Sequence, residues 1–303
     1  MQKALSRLPQ RRLLKGLFAG LVATLAGSVQ AVTVDGGDYA YMPHGSTLGV
    51  VYQQHFGGRD LYAKGRKVSG DAKLSVDLTM LRGVWYRDWG DDHAVVPQFL
   101  VPIGRARTGG ELAGQEATNG IGDLLLVFPL HFIKDPSGRN AFSISPWLWL
   151  PTGNYNADNA LNPFAENRWK LAFQVGRNWK VSESISLELV GDVQFHSANR
   201  NFGVDGTTLT QRPLWELQTH LRYFLSAGTF VGGMVSHITG GETRVDGVAQ
   251  NDRQSLTKVL FTVGHFLDKD IQLLISYGQD VSIRTGIKED ARFNLRLLKL
   301  FGR

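Results

Sequence analysis

The sequence predicts an all-β protein, an antiparallel transmembrane β-barrel of about 12 strands with long outer loops and short periplasmic turns. Three observations carry that prediction. From Ser46 onward, apolar and polar residues alternate with a period of two, the pattern of strands with two unlike faces. No run of 18 apolar residues occurs, and beyond the first thirty residues no helical periodicity is sustained. The links between alternating segments are long and short in strict turn, as in barrels of the outer membrane.

The chain opens differently. Residues 1–31 carry Lys3, Arg7, Arg11, Arg12 and Lys15 and no acid, then an apolar stretch from Leu17 to Ala26, then small residues ending Ser28-Val29-Gln30-Ala31. This is the layout of a cleaved secretory signal peptide, and its apolar part is too short to span a bilayer as a helix. The formal charge of +6 originates here, because without these five residues 28 basic side chains face 27 acidic ones. A nearly neutral exported chain lacks the basic footprint of a nucleic-acid binder. With no cysteine, disulfides, thiolate catalysis and thiolate metal ligation are excluded. Residues 32–45 are expected to form a periplasmic N-terminal segment and residues 46–303 the barrel.

Strands are expected at about 46–56, 72–87, 93–102, 122–133, 141–150, 168–179, 185–196, 210–225, 230–239, 256–267, 271–280 and 291–301. Ile185-Ser186-Leu187-Glu188-Leu189 and Trp169-Lys170-Leu171-Ala172-Phe173-Gln174 illustrate the alternation. The odd-to-even links (57–71, 103–121, 151–167, 197–209, 240–255, 281–290) are long and rich in Gly, Asn, Asp and Thr. The even-to-odd links (88–92, 134–140, 180–184, 226–229, 268–270) are short. A soluble β-sandwich requires no such rhythm.

One face carries Leu74, Val76, Leu78, Leu126, Phe128, Trp169, Leu171, Phe173, Leu189, Trp215, Leu217, Leu221 and Phe293, and is assigned to lipid. The other carries Lys73, Asp77, Asp123, His131, Lys170, Gln174, Glu188, Asp192, Glu216, His220, Arg222, Lys258 and Arg296, and is assigned to the lumen. Closure in a bilayer satisfies every strand's backbone while the apolar face meets lipid. Outer-membrane lipid and the barrel insertion machinery are therefore the expected partners. Tyr52, Tyr86, Trp169, Trp179, Trp215, Tyr223 and Tyr277 lie near strand ends, as interfacial girdles do. Arg82 falls on the lipid face, where it needs a bulge or an interfacial position.

Gly37-Asp38-Tyr39-Ala40-Tyr41-Met42-Pro43-His44-Gly45, Gly120-Ile121-Gly122-Asp123, Leu150-Pro151-Thr152-Gly153-Asn154-Tyr155 and the following Trp169 carry a family resemblance. The chain resembles the outer-membrane transporters of the MetA-pathway of phenol degradation family over most of residues 38–300. That resemblance implies a barrel associated with uptake of aromatic or other hydrophobic compounds, without defined catalytic residues. Many outer-membrane barrels end in an aromatic residue read by the insertion machinery, whereas here Gly302-Arg303 follows Phe301. Locally, Gly122 is expected to allow positive φ and close backbone approach, and Pro151-Thr152-Gly153 to end a strand. A phosphate cradle is excluded, because no third glycine and no helix follow Gly122.

Catalysis is not expected. Phe195-His196-Ser197 is the best nucleophile–base candidate, yet adjacent strand residues point to opposite faces. The histidines at 55, 93, 131, 196, 220, 237 and 265 are scattered, without a metal-binding spacing. Glu188 and Asp192 lie about 13 Å apart by strand rise, too far for glycosidase carboxylates. No cofactor or metal is implied. The inward set mixes five acids (Asp77, Asp123, Glu188, Asp192, Glu216) with five bases (Lys73, Lys170, Arg222, Lys258, Arg296). That balance argues against a strongly ion-selective porin, whose filter shows one dominant sign. Asp123, Lys170, Glu188, Asp192, Glu216, His220 and Arg222 are the candidate lumen residues of a narrow path. The expected function is an outer-membrane channel or facilitator for small hydrophobic or aromatic solutes. The alternative is a structural or lipid-modifying barrel without a transport role.

Overall fold

The computed structural model describes residues 32–90, 93–133, 135 and 139–302. The expected signal peptide, residues 1–31, lies outside them. The wall strands are β1 (Thr47–Gly58), β2 (Ala72–Trp85), β3 (Gln98–Gly110), β4 (Leu124–Val127 and Leu130–Ile133), β5 (Ala141–Leu150), β6 (Lys170–Lys180), β7 (Ile185–His196), β8 (Leu214–Ser226), β9 (Thr229–Gly240), β10 (Gln254–Asp268), β11 (Ile271–Ile283) and β12 (Ala291–Phe301). Each pairs antiparallel with its sequence neighbours, and β12 returns to β1 with Phe301 opposite Thr47 and Ala291 opposite Gly57. The result is a closed barrel of 12 strands.

Alternation fixes the wall. Along β8, Trp215, Leu217, Thr219, Leu221 and Tyr223 are exposed, while Leu214, Glu216, Gln218, His220 and Arg222 are buried. Polar residues inside and large apolar residues outside is an inversion of a soluble core. It is the arrangement that lipid imposes on a closed sheet.

The structure corrects the strands near the N-terminus. On β2 the faces are reversed: Val76 and Leu78 are buried inward, while Lys73 is exposed and Asp77 partly so on the outside. Asp77 there bonds His55 and Arg107 on the flanking strands, both at 2.7 Å. The reading failed because polar residues do not always mark the lumen. Near the loop end of the wall they face outward, and the lumen opposite them is filled by apolar side chains. Reversal also accounts for Arg82, which turns inward to Asp38 at 2.8 Å. Tyr52 and Tyr86 are likewise buried inward, not in a girdle, whereas Trp169, Trp179, Trp215, Tyr223 and Tyr277 are exposed on the outer face.

The third strand begins at Gln98, later than expected, because Pro97 interrupts the ladder. Residues 93–95 instead pair with 87–89 and with Leu130-His131, making the link from β2 to β3 a small hairpin at the periplasmic rim. At the opposite end the long links build two sheets of their own. One joins Asn199–Phe202, Thr207–Gln211, Thr243–Val245 and Val248–Ala249. The other joins Asp60–Ala63, Arg66–Ser69 and Gly286–Lys288.

The absence of native cysteine makes the faces directly testable. A fluorophore on Leu81→Cys should be quenched by nitroxide-bearing lipid, and one on Leu78→Cys should not; equal quenching would reverse the assigned faces. Leu189, exposed at mid-strand on β7, should tolerate arginine poorly. Leu189→Arg should cost about 2–4 kcal/mol in unfolding from lipid vesicles.

Candidate solute path through the barrel

The segment 32–45, expected in the periplasm, turns into the barrel. A reversal at Pro43-His44-Gly45-Ser46 directs it, with Ser46 N–H donating to the Pro43 carbonyl (3.1 Å). Gly45 takes φ +87° there, a conformation costly for other residues. From this turn, residues 32–42 run along the lumen and are held by side chains of the wall. Gln174 and Gln218 donate to the Val32 carbonyl (2.8 and 3.0 Å), and Gln218 accepts from Val34 N–H (3.1 Å). Glu188 accepts from Gly37 N–H (3.0 Å). Asp38 pairs with Arg82 and Arg296, and Asp35 also pairs with Arg296 (3.1 Å). The Tyr39 ring lies flat on Gly176, where a Cβ would come within 2.6 Å of it, and its hydroxyl donates to Gln174.

Beside this segment the lumen has two unlike walls. Strands β1 to β5 contribute Leu78, Met80, Leu100, Leu125, Trp147 and Trp149, and Val32 and Val34 pack against several of them. Trp147 and Trp149 stack at 6.1 Å, and the Lys170 ammonium lies 5.1 Å from the Trp149 ring. Strands β6 to β8 contribute Gln174, Glu188, Asp192, Glu216, Gln218 and His220, all buried. A cavity of about 160 Å³ lies between the inward segment and the apolar wall, with Asp35, Asp38, Arg82, Lys258 and Asn294 at its polar side.

All seven candidate lumen residues are buried on the inner side, but they do not form one network. Asp123 and Lys170 belong to the loop end. Asp123 accepts from Gly153 N–H (3.1 Å) and Glu166 N–H (3.0 Å), while Lys170 pairs with Glu166 at 2.9 Å. Asp192 and Glu216 occupy the middle, held by Gln174 (3.2 Å) and by Ser236 with Thr33. Glu188, His220 and Arg222 lie nearer the periplasm, with Arg222 against Glu188 at 2.7 Å and between Phe224 and Phe230. Pairing runs between adjacent strands and to the inward segment, not across an open lumen.

Sequence reasoning missed Glu166, Arg168, Asp35, Asp38 and Arg82. Glu166 and Arg168 share the inward parity of Lys170, so extending the strand pattern by two steps would have found them. Burial works against the Glu166 charge, but Arg168 and Lys170 outweigh it and hold its carboxyl below the usual range. Asp35 and Asp38 lie in a segment with no period, which leaves no signal to read.

The two glycine motifs meet. Asn154 N–H donates to the Ile121 carbonyl (2.7 Å), Gly122 N–H to Pro102 (2.8 Å) and Asp123 N–H to Phe164 (2.8 Å). Gly153 and Gly122 are in contact, and a Cβ on either would strike backbone. Positive φ falls on Gly120 (111°), so Gly122 serves close approach alone. This clamp closes the seam where the β3–β4 ladder is interrupted between Leu100 and Ile103.

The family model for the MetA-pathway of phenol degradation matches residues 57–297. The chain belongs to that family. Among solved structures, it is similar to the COG4313 outer membrane channel from Pseudomonas putida F1 at 37% identity and TM-score 0.86, covering 89% of this chain and 100% of that one. The transport unit of the autotransporter AIDA-I from Escherichia coli is similar in fold alone, at 8% identity and TM-score 0.50 over 94% of this chain and 99% of that one. The comparison with curated protein sequences finds no match. The protein is thus an outer-membrane β-barrel. Within it, His196 and Ser197 do not form a catalytic pair. His196 shares the register of inward Lys170, whereas the Ser197 hydroxyl accepts from Trp169 N–H at 3.0 Å.

Tyr39 on Gly176 gives a handle on the inward segment. Gly176→Leu should displace the ring and raise single-channel conductance in planar bilayers. Unchanged conductance would mean that the segment does not limit passage.

Proposed function

We propose that this family member is an outer-membrane channel that facilitates entry of small hydrophobic or aromatic solutes. One observation carries the reading: the lumenal cavity has the size and lining for a single aromatic ring. An apolar cavity of about 150 Å³ in another protein holds benzene, and the volume here is about 160 Å³. Leu78, Leu100, Leu125, Trp147, Trp149 and Phe164 offer apolar contact to such a ring. Charged residues at its other side can orient a hydroxyl substituent. Neighbouring lumenal charges are mostly paired, so the path presents little net field to an ion. In this reading, residues 1–31 direct export and are cleaved, and the barrel insertion machinery places the barrel in the membrane.

Uptake by proteoliposomes is the test. Phenol-class solutes should enter faster than through protein-free vesicles, and a neutral sugar should not. Leu125→Asp should slow aromatic uptake by about tenfold, the ratio that an added barrier of about 1.4 kcal/mol produces. Wild-type uptake equal to that of empty vesicles would leave a barrel without a transport role.

A further inference from the structure

Among the described residues, no cation lies within ion-pair distance of two carboxylates on the polar wall. Asp192 on β7 and Glu216 on β8 are direct partners in the register, and both are buried, at 7% and 4% exposure. Asp192 accepts from Gln174, and one Glu216 oxygen accepts from the Ser236 and Thr33 hydroxyls. The other oxygen, Oε2, has no partner. The other lumenal acids are provided for: Asp35 and Asp38 by Arg296, Glu166 by Lys170, Glu188 by Arg222, Glu289 by Lys258, and Asp123 by the N–H groups of Gly153 and Glu166. Buried like charges side by side are costly without a cation. The site lacks one positive charge.

The inward segment delivers its first residue there. The Gln174 nitrogen that donates to Asp192 also donates to the Val32 carbonyl, and Thr33 donates to Glu216. The main chain of Val32 therefore lies at the acid pair. Hydrolysis of the Ala31–Val32 bond by a signal peptidase consumes one water. It leaves a carboxylate on the departing peptide and an α-amino group on Val32, which is protonated at neutral pH in its ordinary state.

We infer that Asp192 and Glu216 are the receptor for the protein's own processed N-terminus: the Val32 ammonium pairs with both carboxylates and locks residues 32–42 in the lumen. The inference rests on the signal-peptide reading of residues 1–31 and is independent of solute class. Before cleavage the same nitrogen is a neutral amide, so maturation supplies the charge that completes the lumen. The inward segment then sets only in the exported, processed chain.

The test is N-terminal reactivity in the folded barrel. Intact mass of the purified protein should place the N-terminus at Val32, and any other N-terminus overturns the inference. An α-amine-selective aldehyde, 2-pyridinecarboxaldehyde, should label folded wild type about tenfold more slowly than the folded Asp192→Asn/Glu216→Gln variant, a ratio equivalent to about 1.4 kcal/mol. A second variant guards against misfolding of the first. Two glycines inserted between Ala31 and Val32 leave both acids intact but carry the ammonium past them, and this protein should also label about tenfold faster. Burial without pairing predicts equally slow labelling in the acid-pair variant. Equal rates in wild type and every folded variant would overturn the inference, whatever the uptake assay returns.

Discussion

Closure of the hydrogen-bonded wall governs the rest of this molecule. In hydrocarbon an unpaired backbone group costs several kcal/mol, so the pairing of β12 with β1 is what permits the chain to exist in a membrane. Once the sheet is closed, lipid claims the outer face and the lumen must hold everything else. Twelve strands enclose more space than their own side chains fill. The protein fills it with Phe164 from the β5–β6 link, which lies against Gly104, and with residues 32–42 from the periplasmic side. Both insertions depend on glycines in the wall that let rings lie against the backbone.

The same constraint explains the distribution of charge. A lumen flanked by lipid is a poor solvent for ions, so each buried charge needs a partner of opposite sign. On the wall these partners come from adjacent strands, as with Glu188 and Arg222. In the inward segment they come from the two strands that flank β1, because Asp38 contacts Arg82 on β2 and Arg296 on β12. Those contacts tie the segment to the β12–β1–β2 region of the wall. On its other side the segment meets uncharged glutamines and the acids of β6 to β8. The inward segment is therefore clamped electrostatically on one side and by hydrogen bonds on the other.

The architecture was legible in the sequence wherever the two faces differ strongly. On β6, β7 and β8, the large apolar residues and the charged ones alternate around Lys170, Glu188 and His220 with few breaks such as Val190 and Thr219, and their faces followed directly. On β2 the pattern Leu74, Val76, Leu78 against Lys73, Asp77 and Leu81 supports either assignment, since apolar residues can face lipid or fill a lumen. Arg82 was the informative residue: an arginine on a presumed lipid face is costly, and that cost pointed to reversing the whole strand rather than inserting a bulge. The inward course of residues 32–42 could not be read by parity. A segment without a period makes its contacts one residue at a time, and Asp35 and Asp38 gain meaning only when Arg82 and Arg296 stand opposite.

A path for an uncharged solute follows from how the two lumenal walls differ in stiffness. The apolar wall is packed by stacked Trp147 and Trp149 and offers no hydrogen bonds to break. Much of the inward segment's hold on the polar wall comes from side-chain amides, Gln174 and Gln218, whose single bonds contribute about 1 kcal/mol each. Its ion pairs to Arg82 and Arg296 are harder to break, since removing one partner strands a buried charge. A ring entering against the tryptophans therefore meets, on its other side, a segment held at the arginines and, through its first residues, at the glutamines and the acids of β7 and β8.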